Sequence, residues 1–335
     1  MEADRDIEKK LKRIIVLKAE TIKGSPAYLR HTTITSQLEK IGYYVIELNV
    51  SQVNLKGFLK TNLKEFMNRT PVFISAPPFK LIFFGLIALL PVYIDIRDGW
   101  SVAIQNGYGS ENIKRRPIKA FIARLVELLL IMKARNIFCA TDGISKYLTT
   151  NLPRIDAKIL VISNGHSYEL NKAFFSERCR NNAIKILILG KFEEYGIKHA
   201  LQSLKVVSER YQNNDIVVHK YSYKLDPEIV SAAAQLNIKI ELKRPLNNKA
   251  LVKASNDYDF GLAIVRDANY EVGTKVYDYL AFGLPIIKLY DDNTEINYRF
   301  KNCFDTDYDA INAYEKAVYY QRANRIENVF AKIFN

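Results

Sequence analysis

The chain has 335 residues, 48% apolar and 25% charged, and a net charge of +13. That composition supplies ample core material and excludes disorder as the main state. Three cysteines, Cys139, Cys179 and Cys303, are too few and too far apart for a disulfide framework or a metal site, and read as thiols of a reducing compartment. The opening MEADRDIEKKLKR has no apolar stretch and so no secretory signal.

Strands and helices alternate along the chain. Arg13–Lys18 (RIIVLK) reads as a strand, followed by a loop in which Gly24 permits close backbone approach. A helix near Tyr28–Ile41, a strand Tyr44–Val50, a helix Leu55–Met67 and a strand Val72–Ser75 come next. The break Ala76-Pro77-Pro78 precedes an apolar helix Phe79–Leu90 and a strand Val92–Ile96. The uncharged run Leu81–Ile94 is 14 residues, short of the ~20 that a spanning helix needs. A helix Ile118–Ala134 and short strands Asn136–Ala140 and Ile159–Ile162 follow. At Lys185 the pattern restarts with a strand ending at Gly190, a helix His199–Tyr211, and strands at Ile216–His219, Ile238–Leu242 and Phe260–Ile264. Thr274–Phe282 reads as a helix closed by Gly283 and Pro285, then a strand Ile286–Leu289 and a helical tail to Phe334. The two runs, separated near Arg178–Ala183, predict an α/β chain of two doubly wound, Rossmann-like domains with parallel sheets, at 1–180 and 181–310, with a helical tail at 311–335.

Charge is unevenly placed. Residues 1–180 hold 28 Lys+Arg and 16 Asp+Glu, whereas residues 181–335 hold 21 and 20. The densest cluster, Ile113–Arg135, carries Lys114, Arg115, Arg116, Lys119, Arg124, Lys133 and Arg135 against Glu127 alone. Its apolar residues Ile118, Phe121, Ile122, Leu125, Leu128 and Leu129 fall at helical spacing. Two readings stand side by side: a packed helix with a solvated basic end, or a surface that meets anionic lipid headgroups. No helix-turn-helix, RNA-binding or zinc-finger signature accompanies the charge, so nucleic acid is not an expected partner.

Ligands of open α/β sheets bind beyond the carboxyl ends of the strands, which directs attention to four loops. In GTKVYDYLAFGLPII, Gly273 and Thr274 open a helix that Thr274 can cap, and Lys275 adds a full charge to the positive end of the helix dipole, a cradle for a diphosphate. Asp278, one turn on, can accept hydrogen bonds from sugar or ribose hydroxyls; the alternative is a capped surface helix with an unused acid. In DIRDGW, Asp98 can steady positive charge or orient a hydroxyl and Arg97 can meet a phosphate; a salt-bridged turn is the alternative. In ILGKFEEYG, Lys191 follows a strand and a glycine, and the fourth loop is that of Gly24. His31 and His199 read as structural, whereas His166 follows an Asn-Gly turn and stays a candidate. The absence of GxSxG, HExxH, P-loop and GxGxxG motifs removes the usual support for hydrolase, zinc protease, kinase and dinucleotide readings.

Taken together, FISAPPFKLIFFGLIALL, VYIDIRDGW, IFCATDGISKYL, VISNGHS and GTKVYDYLAFGLPII resemble, in order, segments of the retaining glycosyltransferases of family 4, in particular bacterial enzymes of surface polysaccharide synthesis. The resemblance implies a GT-B fold, two domains facing across a cleft, with the tail packing back on the N-terminal one. It implies a nucleotide-sugar donor held by the C-terminal domain and a saccharide acceptor, often lipid-linked, held by the N-terminal one. Neither metal nor other cofactor is implied, because the nucleotide-sugar is a substrate. Carried onto this chain, it gives Lys191, Gly273, Thr274, Lys275 and Asp278 donor-binding roles, to which Gly24 and Glu271 are added from their positions, and Arg97, where many members have histidine, and Asp98 are the catalytic candidates. Lys114, Arg115, Arg116 and Lys119 fall to the acceptor or membrane side, at the inner face of the cell membrane. The family's first acidic residue would fall at Tyr270, beside Glu271, and its second cation at Tyr195, with Lys198 one turn later. These departures support one alternative, a non-catalytic partner subunit of the same fold; a nucleotide-sugar epimerase of the same fold is another.

Overall fold

A computed structural model describes residues 12–18, 25–49, 55–76, 79–107, 116–150, 158–175 and 183–334. Gly24, Lys114, Arg115, Cys179 and most of the break at 178–183 lie outside the described residues. Contacts group the chain into two units. The first takes residues 1–106, 115–164 and 322–335, and the second takes 107–114 and 165–321. The division therefore falls at Asn164–Gly165, ahead of the 180/181 boundary drawn from the sequence. The tail is also split between the units: the helix Ala310–Tyr319 belongs to the second and the helix Arg322–Phe334 to the first.

The first unit is built on a six-stranded parallel sheet. Its strands are β1 (Lys12–Lys18), β2 (Tyr43–Asn49), β3 (Val72–Ala76), β4 (Val92–Ile96), β5 (Asn136–Cys139) and β6 (Ile159–Val161), in the order β2-β1-β3-β4-β5-β6. Ile14, Ile15, Val16 and Leu17 of β1 are all buried, as an unbroken apolar run must be when helices cover both faces of a sheet. On one face lies the C-terminal helix, whose Ile326, Phe330 and Phe334 join Val16, Phe73 and Phe138 in a single core. Phe330 meets the rings of both Phe73 and Phe138, at 6.0 and 5.6 Å between centroids.

The second unit carries a four-stranded parallel sheet of β7 (Ala183–Leu189), β8 (Asp215–Tyr221), β9 (Ile238–Lys243) and β10 (Phe260–Gly261), in the order β10-β7-β8-β9. Parallel bridges Gly261–Ile286 and Ile286–Phe304 prolong it beyond β10. The strand read at Ile286–Leu289 thus contracts to a single paired residue, held by Ile286 N to Cys303 O and Ile287 N to Gly261 O, both at 2.9 Å.

The two sheets share one topological feature. The chain leaves β1 for β2 on one side and crosses to β3 on the other; it leaves β7 for β8 and β9 and then crosses to β10. Each sheet therefore has a switch point, β1/β3 in one and β7/β10 in the other, where two loops diverge and a crevice opens.

Of the two readings of the basic helix, the packed one does not hold for its bulky stripe. In the helix Pro117–Lys133 the bulky residues Ile118, Phe121, Ile122, Leu125 and Leu129 face solvent, and the buried positions are Ala120, Ala123, Glu127, Leu130 and Ile131. Alanines let the helix lie close on its neighbours, so the wider apolar stripe is left outside.

At the carboxyl edge of the first sheet, Arg30 and Asp95 form a buried ion pair, with exposures of 1% and 0%. Arg30 Nε donates to Asp95 Oδ2 at 2.9 Å and Nη2 to Oδ1 at 2.6 Å; Ser75 Oγ donates to Oδ2 at 3.2 Å, and Arg30 Nη1 to Asn164 Oδ1 at 3.3 Å. One guanidinium thus ties the helix Pro26–Lys40 to β4 and, through Ser75, to β3. Removing one partner strands the other charge in the interior, so Arg30→Met is expected to cost ~3–5 kcal/mol in urea unfolding. The double variant Arg30→Met, Asp95→Leu should recover much of that loss, and a double-mutant cycle with strictly additive losses would contradict the pairing.

Candidate functional site

The switch point of the second sheet is assembled from the loops after β7 and β10 and the start of the helix Thr274–Ala281. Gly190 ends β7 in the left-handed region, φ +70°, where a side chain is strained. A Cβ built on Gly190 would lie 3.6 Å from Lys275 Cε, so the Lys275 side chain lies alongside the Gly190 backbone. Lys191, the next residue, is exposed. Beside Gly190, a position outside the sequence-predicted set, the structure therefore brings Lys191, Gly273, Thr274 and Lys275 of that set together at the switch point.

What holds the helix there is Tyr279, fully buried. Its hydroxyl accepts from Leu189 N at 3.0 Å and donates to Leu262 O at 3.0 Å, joining the ends of β7 and β10. Burial drives its phenol pKa upward, which keeps it neutral. Gly261 makes room for the ring: a Cβ there would sit 2.4 Å from Tyr279 Cγ.

The loop after β7 is held from beneath. Lys220 of β8, fully buried, pairs with Glu193, whose Oε1 accepts from Asp226 N at 3.1 Å, and Lys220 Nζ donates to Lys224 O at 2.9 Å. The loops after β7 and β8 thus share one buried ion pair, which fixes the backbone that carries Lys191.

Lys275 and Glu271 are each matched by an opposite charge within the protein. Lys275 Nζ donates to Asp278 Oδ2 at 3.0 Å, with Lys275 42% exposed. Asp278 is 13% exposed, but the ammonium stays open to solvent, and a helical pair one turn apart is worth only ~0.2–0.5 kcal/mol, so an incoming phosphate can draw the ammonium away. Glu271 is held by Arg266, Nη2 to Oε1 at 2.6 Å and Nε to Oε2 at 3.1 Å. Thr274 does not cap: Gly273 takes the cap position, and no side chain bonds the first turn. Val276 N bonds back to Gly273 O at 3.1 Å, and the uncapped start at Thr274 and Lys275 is the kind of helix end that receives anions.

Arg97 and Asp98 lie after β4, in the first unit. Asp98 lines a small cleft with Ile82, Ile94, Ile96, Trp100 and Glu127. Glu127 is buried, accepts from Ser101 N at 2.9 Å and from the Ser101 hydroxyl, which also meets the Tyr147 hydroxyl at 2.7 Å. Burial raises the Glu127 carboxyl above its ordinary 4.5, against the opposing pull of Ser101 and Arg124. Sequence reasoning noted Glu127 only as a lone acid; its place in a run of leucines on the narrow alanine face was the available signal. Arg116 and Lys119 are exposed at the start of the helix Pro117–Lys133. His166 is buried, with its Nε2 2.8 Å from Ala317 O, and its backbone pairs with Gln321; it therefore serves the packing of the second unit. Tyr270 and Tyr195 are half-buried and Lys198 is exposed.

No family profile matches the chain, and no curated protein matches it in sequence. Solved structures do. S. aureus MnaA, in a structure with UDP, aligns with TM-score 0.53 at 13% identity, covering 97% of each chain. A glycosyltransferase from Rickettsia africae aligns with TM-score 0.54 at 10% identity, covering 97% of this chain and 98% of the other. A candidate UDP-N-acetylglucosamine 2-epimerase from Listeria monocytogenes gives 0.53 at 13% identity, covering 96% of each. The fold is GT-B. At these identities the likeness concerns the arrangement of strands and helices. The GT-B assignment agrees with two parallel sheets, each with its own switch point.

Two outcomes follow from this geometry. Tyr279→Phe leaves the Leu189 amide and Leu262 carbonyl without their shared partner, and should cost ~1–3 kcal/mol in urea unfolding; an unchanged midpoint would show that the phenol does not hold the helix. A carboxyl raised by folding stabilises only where it is protonated, so stability falls as pH rises from below about 4.5 through the folded value of Glu127. Glu127→Gln removes that slope. Its Tm advantage over the native chain should grow from about pH 4.5 towards neutrality, and a pH-independent difference would refute the assignment.

Proposed function

We propose that this chain is a glycosyltransferase of the family 4 type. In this reading it moves a sugar, with retention, from a nucleoside diphosphate to a lipid-linked saccharide acceptor in bacterial surface polysaccharide synthesis. The observation that carries the reading is the convergence of Gly190–Lys191 with Gly273–Lys275 at the β7/β10 switch point. Sugar transfer passes through an oxocarbenium-like transition state in which the diphosphate departs with growing negative charge. The protein has to position the reactants and stabilise that charge. Lys191, Lys275 and the amides beyond Gly273 are suited to do so. Asp278, once released by Lys275, is free to accept from ribose hydroxyls. With a donor phosphate oxygen taking the acceptor proton, no strong protein base is required, and Asp98 and Arg97 orient the acceptor. No metal or other cofactor enters this scheme. The excess of Lys and Arg before residue 181 supports work at the anionic inner face of a membrane.

A second reading, a nucleotide-sugar epimerase, is supported by the structural likeness to the Listeria epimerase candidate.

Thermal shift against UDP, GDP, dTDP and CMP is expected to pick one diphosphate, with a rise in Tm that grows with ligand concentration. Lys275→Ala should leave the unliganded Tm unchanged and lower turnover ~10²–10³-fold. With the selected nucleotide-sugar, NMR distinguishes the chemistries: a glycosylated acceptor supports transfer, an isomerised sugar without acceptor supports epimerisation. Failure of every nucleotide to shift Tm would count against both.

A further inference from the structure

The first unit displays an apolar surface that the sugar chemistry does not use. On the helix Pro117–Lys133, residues Ile118, Phe121, Ile122, Leu125, Leu129 and Met132 are exposed, Ile118 by 77% and Phe121 by 71%. Their spacing puts them on one face of a helix ~25 Å long. On the helix Leu55–Phe66, Leu55, Leu59, Leu63 and Phe66 are exposed, followed by Met67 at 85%. Between them, Phe83 and Leu89 of the segment 79–90 are exposed as well. The three segments form one layer: Phe58 packs on Phe84 at 4.9 Å between centroids, and Lys133 Nζ donates to the carbonyls of Leu86 and Ala88. Such a patch is far larger than the scattered apolar residues of an ordinary surface.

Charge selects the occupant. The helix Leu55–Phe66 repeats a Leu-Lys pair once per turn, at 55/56, 59/60 and 63/64, and all three lysines are exposed. Arg116 and Lys119 are exposed beside Ile118, and Arg69 and Arg135 at the far ends. The only carboxylates among the described residues of the three segments, Glu65 and Glu127, are 3% and 5% exposed. A second copy of this face would meet it cation against cation. An apolar ridge bordered by lysines long enough to reach upward past it matches a bilayer interface with anionic headgroups. Among the described residues no helix is long and apolar enough to cross a membrane.

We propose that these three segments are a membrane-insertion face: they lie in the plane of an anionic leaflet, with the bulky side chains among the acyl chains and the lysines at the phosphates. This extends the membrane side of the function proposed above, and it holds whichever sugar chemistry the second unit performs.

The test is sedimentation of the full chain with vesicles of phosphatidylcholine alone and of phosphatidylcholine with about 30% phosphatidylglycerol. The native chain is expected to bind the anionic vesicles at least tenfold more tightly. Part of that binding should survive 0.5 M NaCl, because insertion of apolar side chains is not screened. Phe121→Ser, Leu125→Ser, Leu129→Ser together should weaken it tenfold or more, and Lys56→Glu, Lys60→Glu, Lys64→Glu together should erase the preference for anionic lipid. Circular dichroism and the nucleotide thermal shift, unchanged in both variants, keep this outcome separate from the nucleotide reading. Absence of binding to either vesicle, full binding by the serine variant, or a dimer that the serine variant abolishes would each overturn the proposal, the last assigning the face to a second copy.

Discussion

The hydroxyl of Tyr279 is shared between the amide of Leu189 and the carbonyl of Leu262, so a single buried oxygen closes the ends of the two strands that flank the switch point. Around it the other features arrange themselves. Gly261 lacks a side chain because the ring occupies that space, and the helix start at Gly273 faces the Gly190 backbone because its second turn is tied down. Lys275 is held against that backbone by the same constraint. A buried phenol with both of its hydrogen-bonding capacities used is a rigid joint, and rigidity at a helix start matters wherever amides must point at a charge that develops during reaction.

Much of this arrangement was legible in the sequence. A parallel strand buried on both faces is an unbroken apolar run, so RIIVLK and KILILG announced β1 and β7 without help from context. Loops that follow such strands are the places to look for ligands, and this led to Lys191 and to Gly273–Lys275. The pairings of the acids were not legible. Arg30 and Asp95 are separated by 65 residues, and only the strand order brings them together. Arg266 and Glu271 are close in sequence, yet nothing in their spacing says that the loop folds one back on the other. Periodicity showed that the helix 117–133 has an apolar stripe but not which way the stripe faces. That was decided by Ala120 and Ala123, whose small size allows the closer approach.

The unequal charge of the two units has a structural component as well as a compositional one. In the first unit, Glu65, Asp95 and Glu127 are all inside, each satisfied by hydroxyl, amide or guanidinium donors. The lysines of the same segments are outside. Acids withdrawn from the surface no longer offset the cations displayed there, so the local field outside this layer is more positive than the count of residues conveys.

The helix Arg322–Phe334 completes the core of the first unit although the whole second unit precedes it in the chain. During synthesis the ribosome therefore delivers every residue of the second unit before the first receives Ile326, Phe330 and Phe334. Until then Phe73 and Phe138 have no ring from that helix against them. The first unit is thus begun before the second and closed after it, and its nascent part waits, with some of its interior open, for the helix Arg322–Phe334 to arrive.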